Sequence, residues 1–229
     1  MRQTLTTMLG KTVKKAAQIR GGSGPALPGL VIEKIDSDFV SRTLQQLPMG
    51  VALISGTNGK TTTTKIVVEL LESQGLKVFT NRTGSNFTRG VAAALLGEVD
   101  LHGRINADIA VLELDEAYAV HFVKAIKPNY CLLLNVMRDQ LDRFGEIDYT
   151  ASLLHSIAQA TSDVVVLNGD DPRLAATAFL EGVSARVVSF GAGEELRSLF
   201  LSDDDLRTGL VSPRDHGEGP GPRVTLEAI

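Results

Sequence analysis

Apolar residues in this chain fall into short unbroken runs, separated by stretches in which they recur every three or four positions. Val51-Ala52-Leu53-Ile54, Val78-Phe79, Ile109 to Leu114, Tyr130 to Leu134, Val164 to Leu167 and Val187 to Phe190 are the unbroken runs. Helical spacing marks residues 61–75, with Ile66, Val67, Leu70 and Leu71 as the expected apolar face, and segments near 88–97, 117–126, 149–161 and 172–181. Strands that are apolar on both sides and joined by helices belong to a parallel sheet, since each parallel connection needs a crossover and the crossovers cover the faces. The predicted fold class is α/β, a mostly parallel sheet with helices on both faces. Cys131 lies inside one such run, which predicts a buried, inert thiol.

Two flanking regions depart from this pattern. Residues 1–20 place Leu5, Met8, Leu9, Val13, Ala16 and Ala17 at helical spacing with the lysines mostly opposite, before Gly21-Gly22-Ser23-Gly24-Pro25 breaks the helix. Residues 1–24 are therefore expected to be a basic helix and linker that docks through its apolar face; attraction to an anionic membrane surface is the sharper alternative. Residues 191–229 hold six glycines, three prolines and eight acidic against four basic side chains, with no amphipathic period. The expected division is a leading helix over 1–24, an α/β domain over 25–190 and a Gly/Pro/acidic tail over 191–229, the tail being a linker or the opening of a further domain.

Composition narrows the function. With 43% hydrophobic and 22% charged residues the chain is neither disordered nor fibrous, and with no Trp and 5% aromatics its core must be aliphatic. One cysteine supplies neither an internal disulfide nor a cysteine zinc cage, so no zinc is expected in this chain and a reducing, cytoplasmic compartment is. The net charge is −4, which gives no footprint for nucleic acid. Arg2, Lys11, Lys14, Lys15 and Arg20 nevertheless make the first 20 residues +5, because no acid precedes Glu33. No run reaches the roughly 20 apolar residues of a spanning helix.

The strongest chemical signal is Gly56-Thr57-Asn58-Gly59-Lys60-Thr61, set between the first strand of the α/β region and its first helix. Phosphate needs several backbone N–H donors converging on it, which requires close backbone approach and hence glycine, and the helix start adds its positive dipole end. Lys60 supplies a mobile charge for the β- and γ-phosphates and is the expected catalytic residue; Thr61 offers a hydroxyl to Mg²⁺. The usual phosphate loop carries a further glycine where Ile54 stands, so this is a shorter variant. Glu113, at the end of an apolar strand where an acid is otherwise costly, is the expected metal carboxylate, and Asp115 and Glu116 follow as site residues or as a solvated loop. A third strand ends in Asn135, followed by Arg138-Asp139-Gln140-Leu141-Asp142-Arg143. A fourth ends in Asn168-Gly169-Asp170-Asp171-Pro172, where an aspartate is either a helix cap or a nucleotide contact. Such polar clusters lie on the crevice where open α/β sheets bind ligands. The loop after the second strand, with Asn81, Thr83 and Asn86, is small and polar as a substrate-contacting loop would be. The four histidines show no ligand spacing and are expected to be structural or surface groups.

Taken together, Gly56-Thr57-Asn58-Gly59-Lys60-Thr61-Thr62-Thr63-Thr64, Thr80-Asn81 with Thr83-Gly84-Ser85-Asn86, Leu112 to Glu116, Asn135 with Arg138 to Arg143, and Asn168 to Pro172 resemble the central domain of the Mur ligase family. Within it the chain is most similar to the MurT-type subunits of lipid II isoglutaminyl synthase. Gln140 carries part of that distinction, since most amino-acid-adding relatives have histidine there. The resemblance, over about residues 25–190, implies a P-loop-type Mur ligase central domain and an ATP-dependent carbon–nitrogen ligase of peptidoglycan biosynthesis. ATP would activate the D-glutamate α-carboxylate of lipid II as an acyl phosphate, and ammonia from a GatD-type glutaminase partner would attack it.

By position, the resemblance implies that Gly56, Thr57, Asn58, Gly59, Lys60, Thr61 and Thr62 hold phosphate, that Thr61 and Glu113 serve Mg²⁺, and that Asn168 contacts adenine, with Asp171 beside it. Asn135, Asp139, Gln140 and Asp142 would lie by the nucleotide and a second metal. Asn81, Thr83 and Asn86 remain the substrate-binding candidates. The family's zinc ribbon and C-terminal domain have no counterpart in the sequence, so the chain is expected to be a fragment or truncated product that binds ATP and is inactive alone. An amino-acid-adding Mur or folylpolyglutamate-type ligase and a non-catalytic nucleotide-binding module remain the alternatives.

Overall fold

A computed structural model of the chain describes residues 2–19, 26–81, 88–137, 146–192 and 223–226. Three helices lead: α1 (Arg2–Ile19), α2 (Ala26–Ile35) and α3 (Phe39–Leu44). Strand and helix then alternate through β1 (Val51–Ser55), α4 (Lys60–Ser73), β2 (Val78–Thr80), α5 (Thr88–Glu98), β3 (Ile109–Glu113), α6 (Glu116–Ala125), β4 (Tyr130–Leu133), α7 (Glu146–Ala160) and β5 (Val164–Asn168). A short 3-10 turn (Thr177–Leu180), β6 (Arg186–Ala192) and β7 (Arg223–Leu226) complete the order.

The sheet runs β2-β3-β1-β4-β5-β6-β7, and every pairing in it is parallel, as the unbroken apolar runs predict. Successive side chains of a strand face opposite sides. Leu53, Leu112, Leu133 and Leu167 enter a large core shared with α2, α3, α5, α6 and α7, whereas Ile54, Val111 and Leu134 enter a smaller one beneath α4. Each fully buried leucine contributes about 1.5–3 kcal/mol of transfer free energy, but the interior is not the purely aliphatic one that composition predicts: Phe39, Phe79, Phe122 and Phe179 are buried in the large core. Because all strands run the same way, their carboxyl ends share one edge. β1 sits beside both β3 and β4 there, with its own onward connection leading toward β2.

Six elements differ from the sequence expectation. Helix α4 buries Thr64 and Val68 and half-buries Val67 and Leu71, while Ile66 and Leu70 are 52% and 57% exposed. Its azimuth is set by Thr61, which bonds Glu113 on β3; positions 64 and 68 continue that line toward the sheet. Helix α1 is likewise turned over. Leu5, Met8 and Leu9 face out, at 67%, 48% and 46% exposure, and Thr6, Thr7 and Gly10 face in. A Cβ at Gly10 would fall 2.7 Å from Ile32 Cδ1 and 2.8 Å from Leu96 Cδ2, so α1 lies close against the side chains of α2 and α5, which would have to shift to admit a larger residue. Thr6 Oγ1 donates to the buried Asp36, which also pairs with Arg42, and Lys11 Nζ donates to Val99 O at the end of α5.

The helix expected near 172–181 is only the 3-10 turn, because Ala176 is extended. The tail, in which no element is expected, supplies β7 at the sheet edge, and α2 and α3 form where the sequence pattern predicts no element.

Candidate functional site

The carboxyl ends of β1, β3 and β4 bring together the phosphate-loop sequence, Glu113 and Asn135. Gly56 has φ +139°, and a Cβ there would lie 3.0 Å from both Asn135 N and Leu134 Cβ, so the loop can leave β1 only as glycine. Gly59, at φ +82°, stands at the N-cap of α4. Its conformation turns the chain into the helix so that the first-turn N–H groups, which have no partner one turn back, open the helix at the site.

The loop is fastened to the chain that leaves β4. Thr57 N donates to Asn135 O at 3.0 Å, and Met137 N donates to Thr57 Oγ1 at 3.0 Å. Asn58 N donates to Asn135 Oδ1 at 2.9 Å, and Asn135 Nδ2 donates back to Asn58 O at 3.1 Å. Lys60 Nζ donates to Gly56 O at 2.5 Å and Thr57 O at 3.1 Å, and stands 3.8 Å from Glu116 Oε1.

Glu113 ends β3 and is 7% exposed. Its Oε1 accepts the Thr61 hydroxyl at 2.7 Å. Its backbone is held by a side chain on the far side: Asn81 Nδ2 donates to Glu113 O at 2.7 Å and Glu113 N donates to Asn81 Oδ1 at 2.9 Å. Asp115 N-caps α6 by accepting from Ala117 N, and Glu116 in the first turn is buried against Lys60. Glu116 is a site residue that the sequence leaves undistinguished from a solvated loop. The available signal was three acids within four positions of a buried strand end.

Thr61 and Thr62 are exposed at the helix start. Asn168, at the end of β5, accepts from Asp170 N at 2.9 Å. Asp171 fixes a turn: Oδ1 accepts from Arg173 N and Leu174 N, and Oδ2 accepts from Val136 N at 2.6 Å, tying the ends of β4 and β5 together. Thr83, Asn86, Asp139, Gln140 and Asp142 lie outside the described residues. Among the described residues no three His, Cys, Asp or Glu side chains converge as a metal cage. Burial of Cys131 pushes its thiol up to about 12, in keeping with an inert group.

The donor set fits a phosphate with a divalent cation. A glycine loop narrow enough to exclude a Cβ, a lysine within reach of its carbonyls and a hydroxyl–carboxylate pair at one helix start supply backbone donors, a cation and hard oxygen ligands side by side.

Comparison with known proteins gives the same assignment. The family model for the Mur ligase middle domain matches residues 54–216. The chain is 34% identical over 175 residues to the lipid II isoglutaminyl synthase (glutamine-hydrolyzing) subunit MurT of Staphylococcus aureus strain COL, covering 75% of this chain and 38% of that one. It is 35% identical over 172 residues to the same subunit of Streptococcus pneumoniae strain R6, covering 73% and 38%. A UDP-N-acetylmuramoylalanine–D-glutamate ligase of Pelotomaculum thermopropionicum is 32% identical over 149 residues, covering 64% and 30%. The chain thus spans between 30% and 38% of the length of these relatives. Among solved structures, MurF from Acinetobacter baumannii aligns with a TM-score of 0.58 at 24% identity, covering 74% of this chain and 35% of that one. MurF from Thermotoga maritima, solved with ADP, aligns with a TM-score of 0.57 at 24% identity, covering 72% and 36%. These two show a shared fold. With the family model matching most of the chain, the chain belongs to the Mur ligase family through its middle domain.

Proposed function

We propose that this chain is the ATP-binding part of the amidating subunit of a lipid II isoglutaminyl synthase. The observation that carries the proposal is the joining of Lys60, Thr61 and Glu113 at one helix start, in a chain about a third identical to MurT subunits. Gly56 to Thr62 would bind the phosphates of ATP, with Lys60 as the catalytic cation. Thr61 and Glu113 would hold Mg²⁺, which neutralises charge on the phosphates when bound. Asn168 is the candidate for the adenine edge. Among the described residues Glu113 is the carboxylate bonded to Thr61, and phosphate oxygens and water would fill the remaining positions around the metal, as is usual for Mg²⁺.

The chemistry follows from the substrate class. A carboxylate is unreactive toward amines. One of its oxygens attacks the γ-phosphorus and ADP leaves, giving an acyl phosphate. Ammonia then attacks the acyl carbon, inorganic phosphate leaves and a proton is lost, giving the amide. Lys60 would hold charge on the transferred phosphoryl group in a loop fixed before the substrate arrives. The name of the related subunits, glutamine-hydrolyzing, supports a GatD-type glutaminase partner as the ammonia source and lipid II as acceptor. A lipid-linked acceptor would place the work at the inner face of the membrane in the cytoplasm. The outward Leu5, Met8 and Leu9 of α1, in the +5 leading segment, are the candidates for peripheral contact with it. No helix among the described residues is long and apolar enough to cross a membrane.

The test is Mg·ATP binding by isothermal titration. Lys60→Ala should weaken it roughly 10- to 150-fold, the loss of about 1.5–3 kcal/mol from one charged hydrogen-bonded contact. Unchanged affinity would remove the ATP site. The acceptor is tested with the full-length protein, its partner, lipid II, ATP and glutamine: an amide product is expected. The 32% identity to a D-glutamate-adding ligase favours one rival, and a product that gains a whole amino acid would establish it.

A further inference from the structure

Two asparagines lie on either side of β1, and each pairs its carboxamide with the backbone of a different residue. Asparagine can do this because its carboxamide presents one acceptor and one donor side by side, as a peptide group does. Strand β2 pairs with β3 only as far as Thr80 opposite Val111. Beyond that point Asn81, 4% exposed, does with its side chain what a strand neighbour would do, bonding both N and O of Glu113 at 2.9 and 2.7 Å. Glu113 is paired from the other side by β1, where it stands in register with Ile54. Its backbone is therefore fixed on both flanks at the residue whose carboxylate receives Thr61. Asn135 repeats the arrangement on the opposite flank, holding N and O of Asn58 at the tip of the phosphate loop.

We infer that Asn81 and Asn135 are positioning residues with separate tasks, Asn81 aiming the metal carboxylate and Asn135 fixing the phosphate loop, on the reading of the site as an Mg·ATP centre. The tasks differ in a measurable way. Asn135 acts on the donors that meet phosphate, so its loss weakens nucleotide binding whether or not metal is present. Asn81 is bonded to the backbone of Glu113, so its loss removes the part of the affinity that the metal adds. A merely structural asparagine would lower stability and leave the metal increment as it is.

The experiment is isothermal titration of ATP into the full chain, once with Mg²⁺ and once with EDTA, for wild type, Asn81→Ala and Asn135→Ala. For Asn81→Ala the EDTA affinity should stay within about twofold of wild type. Its Mg²⁺ affinity should fall about 10- to 100-fold, the usual cost of removing a group that orients a metal ligand, and raised Mg²⁺ should restore part of it. For Asn135→Ala both affinities should fall about tenfold, as expected where a hydrogen-bonded pair holding the donors is lost. Equal losses with and without metal for Asn81→Ala, or no loss for either variant, would overturn the assignment. If Asn81→Ala does not fold by circular dichroism, Asn81→Ser takes its place, since it keeps a polar side chain at this buried position and adds no charge beside Glu113. Wild-type protein that binds no ATP under either condition would instead defeat the Mg·ATP reading.

Discussion

Strands β1 and β4 are closed at both ends by the same pair of residue types, and only one end holds the candidate site. At the amino end Gly50, at φ +73°, lies against Asn129, whose Oδ1 accepts from Val51 N at 3.1 Å and whose Nδ2 donates to Asp163. At the carboxyl end Gly56 lies against Asn135, whose carboxamide returns both bonds to Asn58. The two clasps differ in what surrounds them. The amino-end clasp joins three strands and stops there. The carboxyl-end clasp holds a loop that opens a helix, with Lys60, Thr61 and Glu113 around it. A glycine–asparagine contact is thus a way to end a parallel pair, and function depends on the groups it presents.

The amino end should therefore answer in stability and the carboxyl end in binding. Gly50→Ala is the largest expected effect. A left-handed backbone costs an ordinary residue roughly 1–2 kcal/mol, and the new Cβ would overlap Asn129 Oδ1, so thermal or urea denaturation should show a loss of at least about 2 kcal/mol. Asn129→Ala should cost about 1–2 kcal/mol by leaving the buried Val51 N–H without its acceptor. In both variants the folded protein should bind Mg·ATP as wild type does. A tenfold loss of affinity in either would mean that the two ends are coupled through β1 and would break the comparison.

Between the clasps lies Cys131, where pH probes the same strand pair. Burial raises its thiol from the usual thiol range to about 12, partly opposed by a hydrogen bond with Thr161. A group whose native pKa is raised leaves stability untouched below its unfolded value, near 8.5, and stability is lost as pH climbs from there toward 12. The slope is on the order of 1 kcal/mol per pH unit, because the unfolded thiol ionises first. Urea denaturation at stepped pH should show this slope in wild type and a flatter one in Cys131→Ala. Iodoacetamide should label the native thiol far more slowly than the unfolded one.

The sheet was legible because a parallel strand buried on both sides must be apolar at consecutive positions, and six of the seven strands meet that condition in sequence. β7 does not, since an edge strand of four residues within a Gly/Pro-rich tail has too little pattern to register. The phosphate loop, Glu113 and the end of β4 were legible for another reason: glycine, lysine and carboxylate at strand ends have few packing explanations. What pattern could not show was which way a helix faces. In α1 the outward side is the apolar one, and the side toward α2 and α5 carries Gly10 with Thr6 and Thr7, whose hydroxyls are bonded to Asp36 and to Gln3 O. The partners of Asn81, Asn135 and Asp171 were equally hidden, since a carboxamide or carboxylate bonded to distant backbone leaves no local signal. Glu116 became distinguishable only when folding set it 3.8 Å from Lys60.

The smallest expected effect belongs to the outer face of α4, the same helix that begins at the phosphate loop. Leu70 is 57% exposed and Ile66 52%, so replacing either by glutamine removes little buried apolar area. It also keeps a side chain that suits a helix. Stability should change by no more than about 0.5 kcal/mol, the usual range for surface substitutions. Mg·ATP affinity should stay within about twofold, since neither side chain lies on the stripe that carries Thr61, Thr64 and Val68 to the sheet. That outcome would show that nucleotide binding is insensitive to α4 in general and answers to the loop at its start, where Gly56 and Asn135 sit. An affinity loss from Leu70→Gln as large as that expected from Asn135→Ala would instead make the whole helix part of the binding device, and the contrast between the two clasped ends would no longer isolate the loop.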